Sequence, residues 1–509
     1  MPGSPVRFGP FTLGLNRLSD PAAIEDTELV EALNFELDLD GSLISRPPVA
    51  AAGTNGSFDS RLLVIGLGIF NGIPYVLGST ANAIWYYSSG TWSQITTGLS
   101  SYTAIQWKDS IWFISAPGSS KGSGSWNPSA PTTYTPVVGM PFGYTAVVHK
   151  NRMFISSGIL ALSATGARVD ASSPSNPNGW VANSGVGAVQ FDVNAGDGQS
   201  ISRMVVFNDN IMIFKQESTY FFAYDTDPGL GQIRKVSNVI GAANKFCVGD
   251  YENNLYVFHQ NNVYEVVNTD FSRINLRVPF ELDGTGGTYD MPIFLSVVDE
   301  RLLVRYYNYI YVYNLRTKTW TRWQSTRYFG PLQVIPKDLT GDAQNTFIGG
   351  SCLVGNKGWY TIFPAYTASA LETFTCTAKT KNFDMAVGHK FKRMYWWGAD
   401  VASVNSITGS LTPVVYSFAA TWGDLSTTQW QALTVWGQPL ATPSVVSTAV
   451  ATLSAARRRF IKFPKALRFR QVNFQVDLTT DGSLSTGPVR LFNITGLMAE
   501  KETVSQQVS

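Results

Sequence analysis

A short apolar strand, a polar turn and a second apolar strand recur along most of this chain, and no other feature constrains the fold as much. The unit appears in "GIFNGIPYVLGSTANAIWYYSSGTWSQI", "AIQWKDSIWFISAPG" and "AVVHKNRMFISSG". Further copies are "MVVFNDNIMIFKQESTYFFAYD", "GDYENNLYVFHQNNVYEVVN" and "SVVDERLLVRYYNYIYVYNLRTKTWTRW", with "SCLVGNKGWYTIFPAY" as a weaker last one. The first turns fall at Asn71, Asp109, Asn151, Asp209, Asn253, Glu300 and Lys357, giving spacings of 38, 42, 58, 44, 47 and 57 residues. A period of roughly 40–50 residues with several strands per unit marks a β-propeller, because such a unit buries its sheet only against neighbours. The turn count predicts six or seven blades. The two longest spacings contain "DASSPSNPNGW" and "KDLTGDAQNTFIGG", which read as inserted loops.

Both flanks differ from the repeat. From about residue 371 the strands lengthen, as in "HKFKRMYWWGADV" and "ALRFRQVNFQVDLTTDGS", and alternate strongly between Ser/Thr/Gly-rich loops. This predicts a C-terminal β-sandwich. Near the N-terminus, Asp20-Pro21 supplies an N-cap and a first-turn proline, so Asp20 to Phe35 reads as a short helix or as an extended arm. In "NFELDLDGSLISRPP", Asp40-Gly41 is the tip of a hairpin, since both residues tolerate positive φ. A calcium loop using Asp38, Asp40 and Ser42 is the competing reading, but its twelfth position holds Val49, which has no side-chain oxygen. The expected fold is therefore all-β: an arm and first hairpin over 1–50, a propeller over 51–370 and a sandwich over 371–509.

Signals for chemistry are sparse. The three histidines, His149, His259 and His389, show no metal-ligand spacing, and phosphate-loop, nucleophile-elbow and dinucleotide motifs are missing. Cys247, Cys352 and Cys376 are too scattered for a disulfide framework and read as buried small residues. Acidic residues at the turns (Asp109, Asp209, Glu252, Asp299, Asp338) satisfy turn preferences without a further role. A propeller glycosidase or depolymerase would need two carboxylates in one pocket, with Arg203, Arg234, Arg273 and Arg305 converging at the mouth in a sialidase-like site. A lectin-like propeller for receptor attachment would present loop aromatics such as Trp126 and Trp180 to sugar faces. The densest charge cluster is "RRRFIKFPKALRFR", with Arg457, Arg458, Arg459, Lys462, Lys465, Arg468 and Arg470 interleaved with phenylalanines. It reads as a solvated or partner-facing strand able to touch nucleic-acid phosphates. The net charge of +2 creates no global field for nucleic acid. No apolar run is long enough for a transmembrane helix, and "MPGSPVRFGPF" lacks the apolar core of a signal peptide. No cofactor is expected.

Two resemblances follow from these residues. The "GTWSQI" and "TKTWTRW" endings resemble kelch-like and Asp-box blades, in which a Trp packs between neighbours. The opening, with Gly14-Leu15-Asn16, Asn34-Phe35, Asp40-Gly41 and Arg46-Pro47, resembles the start of bacteriophage tail-complex proteins, which continue into a β-propeller. The tail nozzle and packaged-DNA-stabilisation proteins of short-tailed phages, and propeller-type minor tail proteins of long-tailed ones, are the nearest in architecture. The resemblance implies a non-enzymatic virion protein, assembled in the host cytoplasm as a ring of copies around the tail axis. Its implied partners are neighbouring tail or head–tail connector proteins and, non-specifically, the exiting double-stranded DNA. Charged residues make up only 15% of the chain, against roughly 25% in ordinary soluble proteins, which suits broad permanent interfaces.

Overall fold

The computed structural model describes residues 4–21, 23–51, 58, 60–156, 166–183, 185–281, 293–325, 327, 329–340, 345–351, 359–362, 372–383, 392–402, 407–416, 444–445, 449–453, 457–469, 471–480 and 488–500. Lys357, Cys352, His389 and Arg470 lie outside them.

Strand-forming apolar runs meet at turns that only certain residues tolerate. Asn71-Gly72, Lys150-Asn151, Asn208-Asp209 and Asp299-Glu300 each place two consecutive residues at positive φ. Such a pair makes the hairpin turn whose twist matches its strands, so first and second strands pair directly. Repetition of this unit builds seven four-stranded blades. Their inner strands are Leu63–Phe70, Ser101–Trp107, Ala146–His149, Ile201–Phe207, Val248–Tyr251, Ile293–Val298 and Phe329–Ile335. Alternation turns their apolar side chains into the seams between blades, where separate clusters form. Leu63, Ile65, Phe113 and Trp126 fill the seam of blades 1 and 2, and Phe154, Val169, Met204 and Phe222 that of blades 3 and 4.

Among its described residues the N-terminal segment forms short strands joined by turns and bends, with no helix. Its strands are β1 (Ser4–Phe8), β2 (Gly14–Leu15), β3 (Glu28–Leu33), β4 (Phe35–Leu37), β5 (Leu43–Ser45) and β6 (Val49–Ala51). Of the two conformations open to Asp20–Phe35, the extended one is found, because β3 is held on both sides. It meets the outer strand of blade 6 at Leu33↔Arg322 and pairs with Phe374–Thr380 on its other edge. Neighbouring backbone decides here over the helix preference of Glu, Leu and Ala. The hairpin at Asp40-Gly41 forms between β4 and β5. In place of a calcium loop, Asp38 and Asp40 face Arg490 at 2.9 and 3.9 Å.

β6 supplies the fourth strand of blade 7, pairing with Trp359–Ile362, so the two ends of the propeller ring are stitched together. In that blade, "KDLTGDAQNTFIGG" is only partly a loop, since its end forms the strand Thr346–Ser351. "DASSPSNPNGW" does open a long connection, between the third and fourth strands of blade 3.

A β-sandwich packs two sheets around Phe8, Phe11, Phe35, Trp397, Phe474 and Ile494. One sheet runs Arg457–Phe469, Lys392–Ala402, Arg490–Glu500, β5, β4, with β1 also on Arg490–Glu500. The other continues from blade 6 through β3, Phe374–Thr380, Gln471–Thr480 and Ile407–Tyr416. A single eleven-stranded sheet thus passes from propeller into sandwich.

Candidate functional site

Two places gather polar groups: the junction of the two bodies and the propeller axis. At the junction Arg46 is fully buried. Its Nε donates to Asn34 Oδ1 (3.0 Å), its Nη1 to Glu372 Oε2 (3.1 Å) and the Pro47 carbonyl (3.0 Å), and its Nη2 to the Gln324 carbonyl (3.1 Å). The guanidinium also lies over the Phe374 ring, 3.8 Å from its centroid. Glu372 accepts in addition from the Val49 amide and the Ser325 hydroxyl. Asn34 sits at φ 58° and donates from Nδ2 to the Thr375 carbonyl (2.7 Å), while its Oδ1 accepts from the Gln324 amide (2.8 Å). One side-chain knot therefore joins the first hairpin, the end of blade 6, the first sandwich strand and the strand that closes blade 7. A buried pair this fully hydrogen-bonded offsets much of its desolvation.

The other residues of the opening motif seat the segment on its two sides. Gly14 lies against the outer strand of blade 6, where an added Cβ would come within 2.9 Å of the Trp320 carbonyl oxygen. Leu15 joins the apolar cluster containing Trp320, and Asn16 Nδ2 donates to buried Glu28 (3.1 Å), which Arg277 also engages. Gly41, at φ 77°, turns the hairpin tip against Pro10.

The propeller axis holds a cavity of about 620 Å³ lined by all seven inner strands. Each of these strands ends its sheet, so an edge row of backbone N–H and C=O groups per blade has no strand partner. Side chains of neighbouring blades meet some of them, as Met204 N–H donates to Thr145 Oγ1 (3.3 Å) and Leu332 N–H to Ser296 Oγ (3.3 Å). Lys245 and Phe246 enter it from a short 3₁₀ turn, Lys245–Cys247, between blades 4 and 5. Asn244 caps this turn by accepting from the Phe246 amide (2.8 Å). Phe246 packs against the clusters of blades 1 and 2 and of blades 6 and 7. Lys245 Nζ approaches Thr103 Oγ1 of blade 2 at 3.4 Å, with the Phe246 and Tyr102 rings 4.6 and 5.4 Å away. These two side chains thus lie across the axis where the inner strands begin. Burial, reinforced by the positive charge of Arg203, pushes the Lys245 ammonium well below the usual lysine range.

The residues singled out from the sequence separate clearly. Arg203 lines the cavity, but Arg234 and Arg273 sit on outer strands of blades 4 and 5 and Arg305 is buried on the second strand of blade 6, so the four do not converge. Asp250 is the one carboxylate among the described cavity-lining residues, so the paired acids of glycoside hydrolysis are not gathered there. Trp126 and Trp180 are both only 1% exposed, donating from Nε1 to the Pro131 and Pro177 carbonyls, and offer no platform to a sugar. His149 bridges blades 3 and 4 through Asp209 (3.2 Å) and stacks edge-on with Tyr224. Cys247 and Cys376 are buried thiols, pushed up to about 12 by desolvation. No cluster of three metal-binding side chains occurs among the described residues. Arg457, Arg458, Arg459, Lys462 and Lys465 lie on the strand Arg457–Phe469 at one end of the sandwich sheet, away from the cavity lining. Sequence reasoning passed over Lys245, whose only local signal is a Lys-Phe pair in the otherwise small and apolar "GAANKFCV" before an inner strand.

No protein-family model matches the chain, and no curated protein matches it. Among solved structures it is similar to the extracellular domain of the putative hybrid two component system BT4673 from B. thetaiotaomicron (TM-score 0.43, 9% identity, 69% of this chain and 42% of that one). Others are the Neurospora crassa Pan2 WD40 domain (0.40, 10%, 60% and 90%) and an auxiliary nutrient binding protein from Bacteroides thetaiotaomicron (0.38, 11%, 63% and 76%). The chain spans under half the length of the first of these, and its seven-bladed architecture rests on its own strand pairing.

Proposed function

We propose that this chain is a non-enzymatic structural subunit of a bacteriophage tail, a nozzle, hub or tip component that assembles in a ring of copies around the tail axis. The observation that carries the reading is the use made of the opening motif. Asn34, Arg46 and Pro47 build the joint between propeller and sandwich, Gly14, Leu15 and Asn16 seat the opening segment beside blade 6, and Asp40 and Gly41 turn the first hairpin. A virion subunit works by holding its shape, and a two-body unit sharing one continuous sheet suits that task. Low charge favours permanent contact with copies and with neighbouring tail or connector proteins. Among the described residues no helix is long and apolar enough to cross a membrane.

On this reading exiting DNA passes between subunits. A duplex whose major groove alone is about 12 Å wide does not pass an axis where Lys245 spans from one blade to within 3.4 Å of another. The basic strand bearing Arg457, Arg458, Arg459, Lys462 and Lys465 is the proposed surface for neighbouring subunits or for non-specific DNA contact.

The test is the solution mass of the purified chain, with electron micrographs, alone and with the proteins encoded beside it. Rings, or assembly on adding a neighbour, support the proposal. A chain that stays monomeric with every such neighbour overturns it.

A further inference from the structure

Several buried cations among the described residues are paired with a carboxylate. Lys215, fully buried, holds Asp197 at 2.6 Å and the Asn194 carbonyl at 3.0 Å. Arg46 holds Glu372, and Arg322 holds Glu31 at 2.5 Å. Lys245, at 8% exposure, has only the long approach to Thr103 Oγ1 and two ring faces, with no carboxylate paired to it among the described residues. Its nearest charged influence is a second cation, Arg203, on the inner strand of blade 4. Arg203 is itself partly buried, and its Nε has no hydrogen-bond partner. Asp250, on the neighbouring inner strand, acts on Arg203 through its charge without forming an ion pair, and its side is exposed.

Arg203 and Lys245 share the cavity with a single carboxylate, Asp250, which acts on Arg203, so a protonated Lys245 has no charge partner of its own among the described lining residues. The cavity they share falls in the range of about 300–1,000 Å³ typical of small-molecule sites, at about 620 Å³. Its walls add edge N–H groups of the inner strands, apart from those such as Met204 and Leu332 that already donate to neighbouring side chains, as donors suited to an anion. We propose that the propeller channel binds a small oxyanion, a molecule bearing a carboxylate or phosphate group, between Arg203 and Lys245. The anion supplies the missing charge partner, with Thr103 and the inner-strand amides completing its hydrogen bonds. This site stands apart from the proposed tail role, since it needs only the folded chain.

Binding also takes up a proton. The Tyr102 and Phe246 rings lie beside Lys245, Arg203 acts on it through its charge and Asp250 acts on Arg203; burial and Arg203 disfavour the ammonium form, which a bound anion favours. Calorimetric titration of the full chain with inorganic phosphate, and separately with succinate, at ionic strength matched with sodium chloride, tests the proposal. Saturable binding of either anion is expected, and the responding arm identifies the group. Binding should weaken by about tenfold or more in both Lys245→Met and Arg203→Gln, as expected for losing a charged hydrogen bond. Heats in two buffers of different ionisation enthalpy should show proton uptake by the parent chain and none by Lys245→Met. No saturable binding of phosphate or succinate, or binding that survives both substitutions unchanged, overturns it.

Discussion

At the scale of single residues, three buried or exposed cations predict three different outcomes. Arg46→Ala leaves Glu372 and Asn34 buried without their donor, so it should cost about 3–5 kcal/mol in denaturant unfolding. Arg316→Ala removes an exposed pair with Glu300 and should stay within about 0.5 kcal/mol. Lys245→Met should stabilise the chain by about 1–3 kcal/mol, the scale of an unsatisfied buried polar group. Its advantage depends on pH in a definite direction. A lysine whose folded pKa is depressed binds fewer protons folded than unfolded, so the parent chain gains stability as pH rises through the window above that folded value. The gap between the two proteins should be widest at low pH and close toward about pH 10.4, where unfolded lysine loses its proton. A gap that widens with pH would contradict the burial of an unpaired Lys245.

At the scale of elements, the blade tips were the most legible feature, for a local reason. A two-residue turn with both residues at positive φ accepts few side chains, so Asn71-Gly72 and Asn208-Asp209 announce themselves without tertiary context. Trp126 and Trp180 read as loop-tip aromatics but pack inside, because a segment's place in the sequence does not show what folds over it. β3 was ambiguous because "ELVEAL" has helical preference and its strand partners lie far along the chain. The axial cavity was not legible, since its lining comes from seven inner strands spread along the chain, which face one another only once the ring has closed. Ring closure has its own test. Gly350 abuts the Leu62 carbonyl across the seam of blades 7 and 1, where an added Cβ would overlap it. Gly350→Ala should therefore cost about 1–3 kcal/mol, whereas Gly90→Ala places its methyl in open space and bears only the strain of φ 86°. Thermal melts of the two variants compare seam overlap with local turn strain.

At the scale of the whole molecule, propeller and sandwich share a sheet, a side-chain knot and a single N-terminal segment. They should unfold in one calorimetric transition, and two well-separated transitions would show that the joint does not couple them. A chain lacking residues 1–51 should give no soluble monomer, since blade 7 loses its fourth strand and the sandwich core loses Phe8, Phe11, Leu29 and Phe35. The threading of that segment also sets an order in time. β1 precedes every other described strand in the chain, yet Ser4 pairs with Met498, and Val49 waits for Ile362. Contacts spanning such separations form late, because the loop entropy comes before the contact energy. A chain stopped short of Met498 thus leaves β1 without its partner strand and exposes open sheet edges. The fold in this way withholds its joint until the last described sandwich strand has been made.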